Sequence, residues 1–362
     1  MILYTVIALV MLFVLIVASM YQTAKVTVTK NNNFSETNLF YNKILFCCII
    51  FVLCFLTAFR CRNIGNDTPT YLMYFARIKQ FGTNKNYAIE LGYQYYCLFL
   101  GKLTNNENAI LIITAIFCYL GVGFYALKYS DNLMFSLVLI FSICFSIFTN
   151  ILRQSIAMVI CLYAYQALKI KKHLIFTLLV LLASTFHTSA LLLFVLALNK
   201  FFPKNIIIIF IATIIIAFLS ATNVIAGLLR SMLTEYDSYF DGERVNTGWT
   251  AITYELLRSY VFCLVAFKAY KNNLNENKLI LANFTLFVIV NALGYSVNLF
   301  SRASEYFLLI SITELPNAMM KFNGSKRSLL IFTTGLIMLA YFFVAIIFRP
   351  EWNHLYPYEF WK

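Results

Sequence analysis

Charged residues are scarce in this chain. Only 12% of its 362 residues are charged and 61% are hydrophobic, whereas a soluble domain usually carries about 25% charged and roughly 45–50% apolar residues. A soluble protein is therefore excluded. Proline and glycine are also few, with 5 and 12 copies, and no stretch rich in them divides the chain. The sequence predicts a single multipass membrane domain over residues 1–362.

Several enzyme signatures are missing as well. The chain has no nucleotide-phosphate loop, no dinucleotide glycine fingerprint, no His-Glu-x-x-His and no Gly-x-Ser-x-Gly. An ATP-driven pump and a cytoplasmic nucleotide-sugar enzyme are therefore disfavoured. Most of the nine cysteines lie in apolar stretches, and none has the spacing of a metal site. We expect no metal, no cofactor and no nucleic-acid partner, with membrane lipids as the surroundings.

Long apolar runs dominate the rest. A helix needs roughly 20 residues to cross a hydrocarbon core of about 30 Å. The runs lie near residues 2–20, 44–59, 108–127, 132–149, 155–170, 205–229, 250–268, 279–299, 303–320 and 328–348. Residues 93–103 form a shorter run, which predicts an amphipathic helix at the outer surface. The pattern indicates an all-α, polytopic integral membrane protein with ten to twelve crossings.

One apolar run, residues 172–199, is too long for one straight crossing and is interrupted at Phe186 to Ser189. Short loops rich in lysine usually face the cytoplasm. A helical hairpin that turns near His187 places all the lysine-rich loops on that side, whereas a single crossing does not. We therefore favour the hairpin and about twelve crossings, with both termini and two larger loops, residues 60–92 and 230–249, outside the cytoplasm.

The net charge of +13 divides unevenly under this topology. The predicted inner loops carry mostly lysine, and the predicted outer segments carry most of the arginine. A guanidinium group binds phosphate or carboxylate through two parallel hydrogen bonds. The outer arginines therefore either form an anion site or cap helix ends and pair with lipid headgroups.

The first polar segment contains several candidates. Arg60 and Arg62 precede Gly65, which predicts a tight turn whose amides and arginines surround an anion. Asp67 then either orients an arginine or acts as a base. The alternative is an ordinary helix end followed by an Asx-type turn. Tyr71 begins a helically spaced aromatic set that either lines a sugar groove or marks the membrane interface.

Other candidates lie farther along the chain. Arg153 and Gln154 sit between two predicted helices, where an arginine needs a partner or a ligand. His187 is either a hydrogen-bonded structural residue or a group that contacts phosphate and handles a proton. Near the C-terminal half, three residues share one helical face through i, i+3, i+4 spacing, and Glu255 with Arg258 repeats this pattern as an expected ion pair. The three are Arg302, Glu305 and Tyr306.

Four segments together resemble the EpsG/Wzy-type family of bacterial polysaccharide polymerases. They are Arg60…Gly65-x-Asp67-Thr68-x-x-Tyr71…Phe75 with Glu90-x-Gly92-Tyr93, then Arg153-Gln154-x-x-Ala157, Ala183-x-x-Phe186-His187-x-Ser189-Ala190, and Arg302-x-x-x-Tyr306-Phe307 with Leu315-Pro316. Between these segments the similarity is only one of hydropathy.

The resemblance implies a membrane glycosyltransferase at the outer face of the bacterial cytoplasmic membrane, facing the periplasm or the cell exterior. It would join oligosaccharide repeat units carried on polyprenyl pyrophosphate, and a chain-length regulator is a possible partner. Given this resemblance, we assign residues to three roles. Arg60, Arg62, Arg153 and Arg302 bind pyrophosphate; among the catalytic residues, His187 contacts phosphate or handles a proton, and Asp67 or Glu305 acts on the acceptor hydroxyl; Tyr71, Gln154 and Tyr306 contact sugar.

Three alternatives stay open. An O-antigen ligase-like enzyme would share the arginines but leave chain length unchanged when deleted, and a membrane acyltransferase would decorate the glycan. A flippase or transporter of the polyprenyl-linked glycan would be expected to show inverted repeats or charges along a path at the midplane. Here nearly every charge lies at a predicted helix end, with Glu314 the main exception, which disfavours transport.

Overall fold

The computed structural model describes residues 2–27, 32–222, 224–232, 249–295, 298–350 and 353–361. These residues are almost entirely helical, and they contain no β-strand apart from one isolated bridge between Arg60 and Phe360. The helices are α1 Ile2–Thr27, α2 Asn32–Ala58, α3 Thr68–Phe81, α4 Leu91–Leu103, α5 Ala109–Tyr129, α6 Leu133–Leu139, α7 Phe145–Asn150, α8 Leu152–Lys169, α9 His173–Phe186, α10 Ile206–Ala221, α11 Val224–Met232, α12 Trp249–Ala269, α13 Lys278–Leu293, α14 Asn298–Met319 and α15 Gly324–Phe348. A π-helical turn, Ile140–Cys144, joins α6 to α7, and a 3₁₀ helix, Thr188–Phe201, follows α9.

Five segments are long and apolar enough to cross a membrane, and each matches a predicted span. They are Ile2–Met20, Phe40–Ala58, Ala109–Tyr129, Leu133–Asn150 and Gly324–Phe348. Four other helices are apolar but have only 10–17 residues, which is less than the roughly 20 residues of a straight crossing. The all-α polytopic class is confirmed, and the number of twelve crossings stays a prediction.

The chain forms two compact units. One contains residues 1–191 and 319–362, and the other contains residues 192–318. The sequence shows no linker at either boundary, and the organisation as one membrane domain stays a prediction. Of the predicted outer loop 230–249, residues 233–248 lie outside the described residues.

The first unit is built around buried helices. Helix α8 packs along α9, α1 along α15, and α2 along α5. Nearly every side chain from Met134 to Leu152 is buried, so this span meets protein on all faces and carries apolar residues throughout. Burial of this kind favours a helix that is hydrophobic all round.

Two features of the first unit position the functional residues. Helix α9 ends at Phe186, and His187 has an extended backbone before the 3₁₀ helix begins, so the predicted interruption near His187 is observed as a helix break. The segment 353–361, called the C-terminal tail here, returns to the end of α2. Two backbone hydrogen bonds hold the tail there. The N–H of Cys61 donates to the carbonyl of Glu359 in the tail (2.9 Å), and the N–H of Trp361 in the tail donates to the carbonyl of Phe59 (2.9 Å).

Candidate functional site

A glutamate that the sequence did not single out for a role lies at the centre of the site. Glu90 precedes α4 and accepts hydrogen bonds from two chain segments that are distant in sequence. Arg153 Nη1 lies 2.5 Å from its Oε2, and His187 Nδ1 lies 3.0 Å from its Oε1. The backbone N–H of Thr188 also donates to Oε1 at 3.0 Å. Arg153, Glu90 and His187 therefore form one cluster, called the Arg–Glu–His cluster below.

The electrostatics of the cluster keep the carboxyl group of Glu90 ionised at neutral pH. Burial by itself raises the pKa of this carboxyl, but the hydrogen bond from His187 and the charge of Arg153 outweigh it, and the pKa falls to about 2. An ionised carboxylate only accepts hydrogen bonds, so Nδ1 of His187 carries a proton. When the imidazole ring is neutral, Nε2 is then an acceptor. The cluster thus holds a guanidinium beside an imidazole, and Glu90 contacts both.

The motif Glu90-x-Gly92-Tyr93 explains how the fold brings Glu90 to this place. A Cβ atom on Gly92 would lie 2.6 Å from Thr185 O and 2.3 Å from Thr185 Oγ1. Only glycine therefore allows the start of α4 to approach the end of α9 so closely. Gln94, fully buried, donates to Ile89 O at 2.9 Å and accepts from Asn84 N at 2.8 Å, which fixes the loop before Glu90.

The low pKa of Glu90 predicts a specific dependence of stability on pH. A carboxyl whose pKa falls from 4.5 in the unfolded chain to about 2 stabilises the folded state above pH 4.5, and this contribution is lost as the pH falls through 2. The thermal midpoints of the wild type and Glu90→Gln, measured in detergent, should differ most at pH 5 and above. More than half of the difference should be gone by about pH 3. A constant difference from pH 5 to pH 3 would show that Glu90 is not held ionised by its partners.

Buried aromatic rings support the cluster on one side. Tyr71 of α3 is 5% exposed. Its ring centroid lies 5.9 Å from that of Tyr93, and its side chain forms a hydrogen bond with Arg153. Burial raises the pKa of Tyr71, so its hydroxyl stays protonated. The structure therefore places Tyr71 behind Arg153 rather than in an open groove. Gln154, expected to contact sugar, is 3% exposed.

Arg60 lies in different surroundings from those of the open anion site expected for it. It is 1% exposed, and its guanidinium donates to Thr57 O, to Thr149 O at 3.0 Å and to Thr68 Oγ1 at 3.3 Å. The two carbonyls belong to the last turns of α2 and α7, where carbonyls lack helical partners. Burial lowers the pKa of Arg60 to about 10, which leaves it charged at neutral pH. Arg60 holds two helix ends together.

The predicted turn at Gly65 is present. Gly65 has a positive φ of 87°, and a Cβ there would lie 2.6 Å from Thr149 O. Its amide donates to His354 O at 3.1 Å, and the Asn66 amide donates to Asn150 Oδ1 at 2.7 Å. Both amides are thus used within the protein and do not form an open anion nest. Asp67 is the N-cap residue that precedes α3 and is partly exposed.

The remaining candidates fall in other places. Arg62 is exposed and lines a cavity in the first unit. In the second unit, Glu305 interacts electrostatically with Glu255, Arg302 and Arg258, so the two predicted pairs form one group of four ionisable residues. The guanidinium of Arg258 also lies over the ring of Tyr254 at 5.7 Å. Tyr306, expected to contact sugar, is 2% exposed.

The fold and the site together define a helical, multi-pass membrane protein with a polar cluster where α4, α8 and α9 meet. A family model for the EpsG family matches residues 43–360. The chain therefore belongs to the EpsG family, a Wzy-type polymerase-like family, and the resemblance of the four segments is confirmed. Membership supports a polysaccharide polymerase-like function in general. A search of curated proteins and a search of solved structures gave no match.

Proposed function

We propose that this protein is a polysaccharide polymerase that joins polyprenyl-pyrophosphate-linked oligosaccharide repeat units at the outer face of the bacterial cytoplasmic membrane. The observation that carries the proposal is the Arg–Glu–His cluster. It combines a cation suited to a phosphate group with an imidazole nitrogen suited to a hydroxyl proton. Family membership gives the general activity, and the cluster supports the more specific donor and reaction.

The reaction needs two kinds of group. A hydroxyl oxygen of the acceptor glycan forms a bond with the anomeric carbon of the donor, and the bond from that carbon to the pyrophosphate oxygen breaks. The lipid pyrophosphate leaves with the bonding electron pair, and the hydroxyl proton passes to a base. Charge therefore grows on the leaving group in the transition state, where a fixed guanidinium stabilises it more than in the ground state.

The cluster supplies both groups in this proposal. Arg153 contacts the pyrophosphate, and Nε2 of His187 accepts the hydroxyl proton. Glu90 orients both, because its two oxygens hold the guanidinium and the imidazole at 2.5 and 3.0 Å. The imidazolium that forms during proton transfer is stabilised by the ionised Glu90, as in other carboxylate–histidine pairs.

Arg60 and Tyr71 take positioning roles in this scheme, because their polar atoms are bonded within the protein. Arg302 and Glu305 keep their proposed roles in pyrophosphate binding and proton handling, and Asp67 stays a second candidate for the acceptor hydroxyl. These assignments rest on charge and residue type. A chain-length regulator remains a proposed partner.

The proposed function is tested by measuring the length and attachment of the glycan in a strain that lacks the gene. A polymerase predicts single-repeat glycans, restored to long chains by the wild-type gene. Full-length chains that are not attached to their acceptor would indicate a ligase instead, and complete loss of surface glycan would indicate a flippase. Purified protein in proteoliposomes, supplied with isolated lipid-linked repeats, should also release lipid pyrophosphate as chains lengthen.

Substitution of Gly92 by alanine is expected to reduce chain extension at least about tenfold. The new Cβ would overlap Thr185, move the start of α4 away from α9 and displace Glu90 from His187, and a shift of about 1 Å in a catalytic group is costly. Gly123→Ala is the matched control, since its Cβ would meet Ile50 Cγ2 at 3.5 Å and Phe46 Cε1 at 4.0 Å, both ordinary van der Waals distances. Polymer length and membrane protein level are measured for both. Equal polymer length in the two variants would contradict the role given to Gly92.

A further inference from the structure

A second site lies in the first unit, on the other side of α3 from Arg153. It is a cavity of about 490 Å³, within the usual range for ligand pockets of roughly 300–1,000 Å³. Pro69, Leu72, Met73 and Ala76 form its apolar floor. Their i, i+3, i+4, i+7 spacing puts them on one face of α3, whereas Tyr71, which bonds Arg153, lies on the opposite face of the helix.

The polar and aromatic walls of this cavity come from three other segments. Arg62 follows α2, Glu107 precedes α5, and Glu359, Phe360 and Trp361 belong to the C-terminal tail. The tail wall is fixed, because Cys61 N donates to Glu359 O and Trp361 N donates to Phe59 O. The ring of Trp361 also stacks on that of Phe59 at 6.2 Å with an interplanar angle of 11°. The indole is therefore held in one orientation while 37% of the residue stays exposed.

The charges of the walls argue against a phosphate in this cavity. The lining contains one arginine and two glutamates, Glu107 and Glu359, so its formal charge is negative and disfavours an anion. Carboxylates accept hydrogen bonds from hydroxyl groups, the guanidinium donates to hydroxyl or carbonyl oxygens, and an aromatic ring packs on an apolar face. This combination suits an uncharged sugar.

We propose that the cavity binds a sugar of the glycan that lies away from the reacting bond. The inference rests on the proposed function and moves Arg62 from pyrophosphate to sugar. Both the cavity and the Arg–Glu–His cluster border α3, on opposite faces, so a glycan bound at the cluster passes around this helix to reach the cavity. A site of this kind retains the growing chain between successive joining steps, and its loss shortens the product without stopping the first joining.

The binding test uses the tail tryptophan as the reporter. The chain has three tryptophans, so Trp249→Phe with Trp352→Phe leaves Trp361 alone. The full-length protein in nanodiscs is titrated with lipid-free fragments of the producing cell's own polysaccharide, and separately with inorganic pyrophosphate. We expect the fragments to change the emission of Trp361, and we expect Glu107→Gln to weaken their apparent affinity about tenfold. Glu276→Gln, an exposed glutamate of the other unit, is the matched control and should leave the affinity unchanged.

A response to pyrophosphate alone, or to neither probe, overturns the proposal. So does an equal affinity in Glu107→Gln and Glu276→Gln. The second readout is product length: Trp361→Ala should shorten the longest chains, while a single joining step in proteoliposomes keeps its rate and Trp361→Phe retains most of the length. If fragments bind but the gene deletion leaves polymer length normal, the proposed function fails and the sugar site stands. If deletion gives single repeats and no fragment binds, only the sugar site fails.

Discussion

Replacement of Arg153 by lysine is expected to reduce chain extension at least about 100-fold while leaving the amount of protein in the membrane normal. Lysine keeps the positive charge, but its single ammonium group cannot hold Glu90 and a phosphate oxygen in the fixed planar geometry of a guanidinium. Loss of one preorganised group that stabilises transition-state charge typically costs 10²–10³ in rate. Polymer length on the cell surface and the rate of joining in proteoliposomes measure the effect.

The matched control for Arg153→Lys is Arg77→Lys. Arg77 is an exposed arginine of α3 that lies over the ring of Tyr87 at 5.0 Å and touches no part of the cluster. It should support normal chains. Glu90→Gln should fail like Arg153→Lys, and the double variant should lose little more than the worse single variant, because residues that act as one unit are not additive. Near-normal polymer length in Arg153→Lys would remove this residue from the site.

Replacement of Arg60 by methionine should instead prevent the protein from accumulating. The substitution removes the guanidinium donor from the buried carbonyls of Thr57 and Thr149, the second of which keeps only Thr68 Oγ1 at 3.4 Å. A buried group that loses its hydrogen bond costs about 1–3 kcal/mol. We therefore expect a loss of about 3 kcal/mol or more in the free energy of unfolding. Arg60→Lys should be intermediate, since an ammonium group retains the charge but matches the three acceptors less well.

A structural role and a pyrophosphate-binding role of Arg60 predict different results in the same two measurements. A structural role predicts low membrane levels and a lowered thermal midpoint for Arg60→Met, with normal joining per folded molecule. A pyrophosphate-binding role, as the sequence suggested, predicts normal levels and midpoint with joining abolished. Thermal unfolding in detergent and the joining rate per folded protein separate these outcomes.

The sequence predicted much of the fold because the membrane imposes simple rules. A run of some 20 apolar residues has few options other than a helix, and five such runs are helices in the structure. The turn at Gly65 and the break at His187 were also predicted, since each depends on local residues. Arg153 was expected to have a partner or a ligand, because an unpaired buried arginine is costly, and Glu90 is that partner.

The role of Glu90 was not predicted although its motif was noticed. Its contacts join residues 63, 97 and 98 positions apart, and spacing along a chain does not reveal such pairs. Arg60 shows the same difficulty. An arginine that follows a helix has the same sequence pattern whether it faces water or caps two buried helix ends. The packing of α2 against α7 determines which of these two environments Arg60 has.

The bonds between the C-terminal tail and the end of α2 have a consequence for biosynthesis. Cys61 and Gly65 emerge from the ribosome some 290 residues before their partners Glu359 and His354. The amides of Cys61 and Gly65 therefore lack these two acceptors while the intervening helices are made. Closure of the loop after α2 requires the tail, so a chain arrested before residue 353 lacks these bonds. The tail therefore closes the loop after α2 only once the helices between them have been made.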